Sequence, residues 1–204
     1  MTDASVWRST LAGHTSTRSC DGCEMCCTTM EVRELDKPAW SPCAHLAGGG
    51  RGCGIWGDHP GGCKAFACLW RGSDTLLPPD LFPPDCGFLL ALDPSEAWPT
   101  VVKVCAEAGR PDAWDTPDNR RLFARLAAAW NCPVAVIGEG VRASHVFAPA
   151  GGVYSRAERP ELFPNDGAGL ALQLEDWGPD RRPPAVRIAE AAFSWREPAR
   201  GRTR

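Results

Sequence analysis

The chain is predicted to be an α+β protein in which a small, loop-rich cysteine module packs on a mixed α/β unit. Three observations lead to this prediction. Eight of the eleven cysteines fall within residues 20–68, a stretch rich in glycine and proline with little apolar periodicity. After residue 86, short apolar runs rich in β-branched residues alternate with one well-capped helical stretch. The predicted element order there is β-β-α-β-β, followed by a C-terminal helix.

Four apolar runs predict the strands, at 88–92, 100–105, 133–138 and 141–147. A turn at 93–95 joins the first two runs, and a Gly-Glu-Gly turn joins the last two. Each pair is therefore expected to form a hairpin.

The predicted helix begins at Pro117, because Thr116 is a favourable N-cap and proline suits the first helical position. Leu122, Leu126 and Trp130 recur every four residues and predict a buried face. The arginines of the same stretch are expected to face water; they are Arg120, Arg121 and Arg125.

The sequence divides into three predicted regions. Residues 1–75 form a cysteine-cluster metal-binding module, residues 76–85 (LLPPDLFPPD) form a proline-rich connector, and residues 86–204 form the α+β unit. That unit is expected to close with an amphipathic helix at 185–196. Residues 181–204 carry seven arginines and two glutamates, and this basic tail is expected to be a solvated terminus, so nucleic acid is not favoured as a partner.

Composition indicates a soluble globular protein, with 44% apolar and 23% charged residues. No apolar run approaches the roughly 20 residues that a membrane span requires, and the first residues lack the pattern of a signal peptide. A cytoplasmic location and no membrane partner are therefore expected. In a reducing compartment an odd count of eleven cysteines favours free thiols or metal ligands over disulfides.

The cysteine module is predicted to bind metal. It opens with the sequence CDGCEMCC, and its eight cysteines are Cys20, Cys23, Cys26, Cys27, Cys43, Cys53, Cys63 and Cys68. Thiolates are soft ligands suited to zinc and to iron–sulfur clusters, and a C-x2-C loop lets two sulfurs converge on one centre. The glycine-rich stretch 48–54 is expected to be a loop that lets the backbone approach that centre.

An iron–sulfur cluster, favoured as 4Fe–4S, is the expected cofactor, with zinc next. The C-x2-C-x2-C run of Cys20, Cys23 and Cys26, completed by a remote Cys63 or Cys68, resembles the way bacterial ferredoxins hold a cluster. The later cysteines are spaced too widely to form a second C-x2-C knuckle, although ligands from loops can also build a tetrahedral zinc site.

The doublet Cys26–Cys27 predicts a two-site arrangement, because adjacent side chains usually diverge from the backbone. Cys26 keeps the register of the two preceding cysteines, so Cys27 is expected to point elsewhere, toward Cys43 and Cys53. The alternative leaves Cys27 as a spare thiol.

These cysteines resemble the CxxCxxCC family, often called YkgJ-type and described as zinc- or iron-chelating. The resemblance rests on C-x2-C-x2-C-C, PCAHL, GCGIW and HPGGCKAFAC, in which all eight cysteines have counterparts, and it covers about a quarter of the chain. His59 stands where the family commonly has arginine. His45 matches the family's usual residue and could be a ligand or a hydrogen-bond donor to a thiolate. The resemblance implies metal binding and no settled reaction.

The other candidate residues are expected to be structural. Cys86, Cys105 and Cys132 lie in or beside predicted strands and a helix end, where a free cysteine acts as a small hydrophobe. His59 and His145 are expected to be surface or hydrogen-bonded histidines.

Three classes of function remain open. The first is a cysteine-ligated metalloprotein whose centre stores or passes electrons, or is a structural scaffold. The second is an enzyme with an open iron that performs group transfer on a small molecule or a protein side chain, since flagellin lysine methylases carry a similar cysteine motif. The third is a zinc-stabilised interaction module. No GxSxG, HExxH or dinucleotide GxGxxG motif is present, so these hydrolase and dehydrogenase classes are excluded and no catalytic residue is assigned.

Overall fold

The computed structural model describes residues 16–93, 101–139, 142–160 and 163. Within these ranges one mixed sheet follows chain order in space. Its strands are β1 (Phe88–Asp93), β2 (Val101–Ala106), β3 (Val134–Gly138), β4 (Arg142–Phe147) and β5 (Val153–Ser155). Neighbouring strands are antiparallel except β2 and β3, which are parallel. The α+β prediction is confirmed.

The sheet is preceded and crossed by helices. They are α1 (Met25–Thr29), a 3-10 turn at Arg33–Leu35, α2 (Gly61–Ala65), α3 (Leu69–Gly72), α4 (Pro83–Cys86) and α5 (Pro117–Trp130). A parallel strand pair needs a crossover connection, and α5 provides it between β2 and β3. The chain thus returns across the sheet to start β3 beside β2.

Helix α5 forms where its cap and apolar spacing predict it. The hydroxyl of Thr116 accepts a hydrogen bond from the Asn119 N–H at 3.1 Å. The predicted face is buried, with Leu122, Leu126 and Trp130 at 8%, 1% and 3% exposure. Arg120 packs its guanidinium over the ring of Trp114, and 41% of its side chain remains exposed to water.

The four strands and both antiparallel pairs agree with the sequence prediction, whereas β5 was not predicted. The pairing of β3 with β4 also shifts register between Val136 and Ile137. The predicted turn at 93–95 overlaps the end of β1 and otherwise lies outside the described residues, as does the predicted helix at 185–196. No described helix is long and apolar enough to cross a membrane.

The cysteine segment, residues 20–68, and the chain that follows it pack on the sheet through β1. This strand contacts α1, α3 and α4. Met25 of α1 and Leu69 of α3 are buried in the same hydrophobic core as the strands. The stretch predicted to be a connector contributes Leu76 and Leu77 to that core, each only 2% exposed. This stretch therefore anchors the cysteine segment to the sheet.

Candidate metal-binding site

The two ends of the cysteine segment are clamped together by Arg18. Its guanidinium donates hydrogen bonds to the backbone carbonyls of Trp70 (3.0 Å), Asp74 (3.1 Å) and Leu77 (2.8 Å). It also lies 4.8 Å from the centre of the Trp70 ring. The Arg18 side chain is only 10% exposed, so these bonds are shielded from competing water.

Asp74, which lies after Cys68 in the chain, completes this clamp. Its carboxylate accepts hydrogen bonds from the Ser16 hydroxyl and the Thr17 N–H, both at 2.8 Å. These bonds lower the pKa of Asp74, with the backbone N–H of Thr17 as the largest cause. The clamp fixes the chain just before Cys20 beside the chain just after Cys68.

Three thiols pack against the hydrophobic core, and together with Cys20 we call them the core-side set. The set is Cys20, Cys23, Cys26 and Cys68. Cys23, Cys26 and Cys68 all pack against the core. Burial is the largest cause that raises the pKa of Cys23 to about 12; the charges of Cys68, Cys20 and Cys27 also raise it, and the Met25 N–H lowers it. Cys68, more than 40 residues away in sequence, is thus close enough to Cys23 to influence its pKa.

Arg71 supplies positive charge beside the core-side set. Burial raises the pKa of Cys20, while the charge of Arg71 and a hydrogen bond from its side chain lower it. The Arg71 backbone N–H lies 3.4 Å from the Cys68 sulfur, which caps helix α3. Cys20 and Cys68 therefore both contact Arg71.

We call the remaining four thiols the loop-side set; Cys43 and Cys53 lie in loops, whereas Cys27 lies on helix α1 and Cys63 on helix α2. It consists of Cys27, Cys43, Cys53 and Cys63. The Cys43 N–H donates to the Cys27 carbonyl at 2.9 Å, which brings their chain segments together. Burial raises the pKa of Cys63, and the charges of the other three thiols and of Glu34 raise it further.

Two carboxylates hold the loops that carry this set. Glu24 Oε1 accepts a hydrogen bond from the Gly52 N–H at 3.1 Å, and Glu34 Oε1 accepts one from the Gly62 N–H at 2.7 Å. Each glycine directly precedes a loop-side cysteine. Gly52 also has a positive φ of 77°, a conformation that glycine adopts without strain.

The adjacent thiols of Cys26 and Cys27 form a polarised pair. A hydrogen bond from Cys26 lowers the pKa of Cys27, and the charge of Lys37 lowers it further; the same bond raises the pKa of Cys26. Lys37 is buried and donates to the backbone carbonyls of Met30 and Pro38. A cation is thereby fixed at the boundary between the two sets.

Neither histidine of the segment lies among the thiols as a clear ligand. His45 is exposed, and its backbone N–H is 3.5 Å from the Cys43 sulfur. His59 stacks on Trp56 with ring centres 4.8 Å apart, and its Nδ1 accepts a hydrogen bond from the Gly57 N–H at 3.0 Å.

The remaining cysteines lie outside both sets. Cys105 and Cys132 are buried at 2% and 4% exposure, in agreement with their assignment to the core. Cys86 is half-buried, and its sulfur lies 3.2 Å from the Phe88 carbonyl.

Sequence patterns did not single out the charged residues that surround the thiols. These are Arg18, Glu24, Glu34, Lys37, Arg71 and Asp74. Each acts through a contact between segments distant in sequence or through a backbone group, and no local motif encodes such a contact.

Comparison with known proteins adds no relative to this description. No family model, curated protein or solved structure matches the chain. The resemblance to the CxxCxxCC family therefore rests on the sequence motifs alone.

The donor chemistry of the segment fits a soft metal, because all eight of its cysteines are free thiols. The side chains in the described residues do not already form a closed metal site. In residues 16–93, 101–139, 142–160 and 163, no three His, Cys, Asp or Glu side chains are arranged to hold one ion. Each cysteine has a single side-chain torsion, so convergence on a metal requires rotamer changes within the sets.

Proposed function

We propose that residues 20–68 bind metal through their eight cysteines, with an iron–sulfur cluster on the core-side set. The observation that supports this proposal is that Cys68 packs against the same hydrophobic core as Cys23 and Cys26. Three cysteines at C-x2-C-x2-C spacing with a remote fourth are typical of ferredoxin clusters. When bound, such a cluster stores and passes single electrons, and redox chemistry is the function that we propose.

The charges around the thiols support this proposal. Four thiolates carry more negative charge than a cluster or a divalent ion neutralises, so nearby cations stabilise the loaded site. Arg71 contacts Cys20 and Cys68, and Lys37 lies beside Cys26 and Cys27. The chain thus places positively charged side chains beside the thiols.

A cytoplasmic location follows from the same proposal. Free thiols persist in reducing compartments, and all eleven cysteines are free in the structure. We propose that the protein works there, where its ligands stay available to metal.

Metal and sulfide analysis of anaerobically purified protein tests the function. A brown protein with iron, acid-labile sulfide and sulfide-to-iron charge-transfer absorption is expected. Cys68→Ser should lose iron and colour. Cys86→Ser should keep both, because Cys86 lies outside the sets and a serine hydroxyl can also donate to the Phe88 carbonyl. A colourless protein that holds only zinc would contradict the cluster and favour a zinc-stabilised interaction module.

A further inference from the structure

We propose that the adjacent thiols of Cys26 and Cys27 form a two-sulfur binding site for a trivalent arsenic compound that carries one organic substituent. This inference goes beyond the proposed function, because it needs two thiols and no metal ion. It assigns a ligand to the pair in the reduced, metal-free chain.

The two sulfurs of the pair already lie close together. A hydrogen bond links the thiols of Cys26 and Cys27. Both residues are half-buried free cysteines on helix α1. Each side chain turns about a single torsion, so one atom that bonds to two sulfurs can bridge the pair without movement of the backbone.

The backbone of the pair is held by hydrogen bonds on both of its carbonyls. The Cys26 carbonyl accepts a hydrogen bond from the Met30 N–H at 3.1 Å, and the Cys27 carbonyl accepts one from the Cys43 N–H at 2.9 Å. The first bond closes the end of helix α1, and the second joins this helix to the loop of Cys43. The peptide unit between the two cysteines is thus fixed in its helical orientation.

This fixed backbone disfavours a disulfide within the pair. Disulfides usually span about 4.4–6.8 Å between Cα atoms. The Cα atoms of adjacent residues lie only about 3.8 Å apart across a trans peptide. Oxidation of the pair therefore requires distortion of the peptide unit and loss of its hydrogen bonds, whereas a bridge through a third atom lets the two sulfurs stay apart.

The number and direction of the sulfur donors select the ligand. Zinc takes at least three protein ligands, and in the part of the chain that the structure describes no three His, Cys, Asp or Glu side chains are arranged to hold one ion. A two-coordinate ion such as Hg²⁺ prefers sulfurs on opposite sides, which neighbouring residues do not supply. Trivalent arsenic is pyramidal. Two of its bonds reach neighbouring sulfurs, and the third carries the substituent away from them.

The binding reaction balances without any redox change. In water the compound carries two hydroxyl groups on arsenic. Each thiol replaces one of them, so that two As–S bonds form, two As–O bonds break, and the two thiol protons leave with the hydroxyls as two water molecules. Arsenic stays trivalent. The second As–S bond forms within one molecule, so the pair holds the compound more tightly than a single thiol does.

Phenylarsine oxide tests the inference on the full chain. Reduced, metal-free protein receives one equivalent of this probe, and excess glutathione then removes probe that is bound through one sulfur. Intact mass should show one phenylarsenic group per chain. Iodoacetamide labelling followed by peptide mapping should show Cys26 and Cys27 protected and the other six cysteines of residues 20–68 labelled. Protection of a different pair, or removal of the probe by glutathione, would overturn the inference.

Serine variants test the pair one sulfur at a time. Cys26→Ser and Cys27→Ser should each lose the glutathione-resistant adduct. Cys23→Ser, in the same segment, should keep it, because the adjacent pair is intact. Retention of the adduct in Cys26→Ser or Cys27→Ser, or its loss in Cys23→Ser, would contradict a site made of these two sulfurs. The labelling of the unaltered chain does not depend on how well any variant folds.

Discussion

At the scale of single residues, the environment of each thiol separates reactive from inert cysteines. The pKa of Cys27 is lowered by the Cys26 hydrogen bond and by Lys37, whereas burial raises the pKa of Cys23 and Cys105, each to about 12. The thiolate is the nucleophilic form, so exposure alone does not decide which cysteine reacts.

The first prediction concerns alkylation of the reduced, metal-free protein. Cys27 should react with iodoacetamide faster than the other cysteines at neutral pH, with a rate midpoint near its lowered pKa of about 7. Mass spectrometry of peptides after timed labelling measures this. Lys37→Met should move the midpoint upward, because it removes the cation that stabilises the thiolate. Labelling of Cys105 at the same rate in the folded protein would contradict the prediction.

The second prediction concerns His145, whose ring packs at a tilt against Trp114 with ring centres 4.8 Å apart. Burial is the largest cause that lowers its pKa, and Arg120 lowers it further, against the carboxylates of Asp112, Asp115 and Glu158. A group that is harder to protonate in the folded state stabilises folding above its unfolded pKa of roughly 6.5. That stability is lost as pH falls through 6.5 toward the lowered value.

Denaturant unfolding between pH 8 and pH 5 measures this effect. The free energy of unfolding should fall on acidification, and the slope should be shallower in His145→Gln than in the unaltered chain. Equal slopes would show that other groups carry the pH dependence.

At the scale of elements, local sequence patterns predicted the helix and strands that local interactions form. The cap of Thr116 and the four-residue spacing of α5 act within one helix, and the apolar runs of β1 to β4 each act within one strand. The sequence did not predict β5, which has three residues and only partial burial. It also left the parallel pairing of β2 with β3 open, because apolar periodicity does not specify strand direction.

The third prediction is made for the buried face of α5. Leu126 is 1% exposed, so Leu126→Ala should lower the free energy of unfolding by ~2–5 kcal/mol, the usual range for emptying a core leucine site. Arg121→Ala is the matched control, because Arg121 is exposed on the same helix. Thermal unfolding of both variants measures the difference, and equal melting temperatures would contradict the packing.

The fourth prediction is made for the N-cap of the same helix. Thr116→Ala leaves the Asn119 N–H without its acceptor and should cost ~0.5–2 kcal/mol, as other N-cap deletions do. Thr116→Ser keeps the hydroxyl and should lose much less. Chemical denaturation of the two variants distinguishes loss of the cap from a general effect of substitution.

At the scale of the whole molecule, the cysteine spacing predicted the eight candidate ligands. It did not predict which of them would bind the same metal centre. Cys63 and Cys68 were equal choices for the remote partner, since both lie far from the C-x2-C-x2-C run in sequence. Our proposal of Cys68 draws on the Arg18–Asp74 clamp, whose Thr17–Asp74 bond joins residues 57 apart. Such a contact depends on the folded chain, so no local pattern reveals it.

Under the proposed function, the two halves of the molecule are expected to depend on metal to different degrees. The strands bury an apolar core of their own, but few apolar side chains between residues 20 and 68 are buried. Metal binding to such a segment contributes folding free energy, on the order of 10 kcal/mol for structural zinc sites. Metal should therefore stabilise the cysteine segment far more than the sheet.

The last prediction follows for hydrogen exchange of the holoprotein before and after chelation. Amides of residues 20–68 should lose protection when metal is removed, whereas amides of β2 and β3 should exchange at unchanged rates. Those two strands pair with neighbours on both edges and lie in the core, so their protection depends on the sheet alone. Residues 16–18 and 70–77 should retain part of their protection, because the clamp bonds need no metal. Unchanged protection of residues 20–68 in protein shown to be metal-free would mean that hydrogen bonds and packing alone fold the segment.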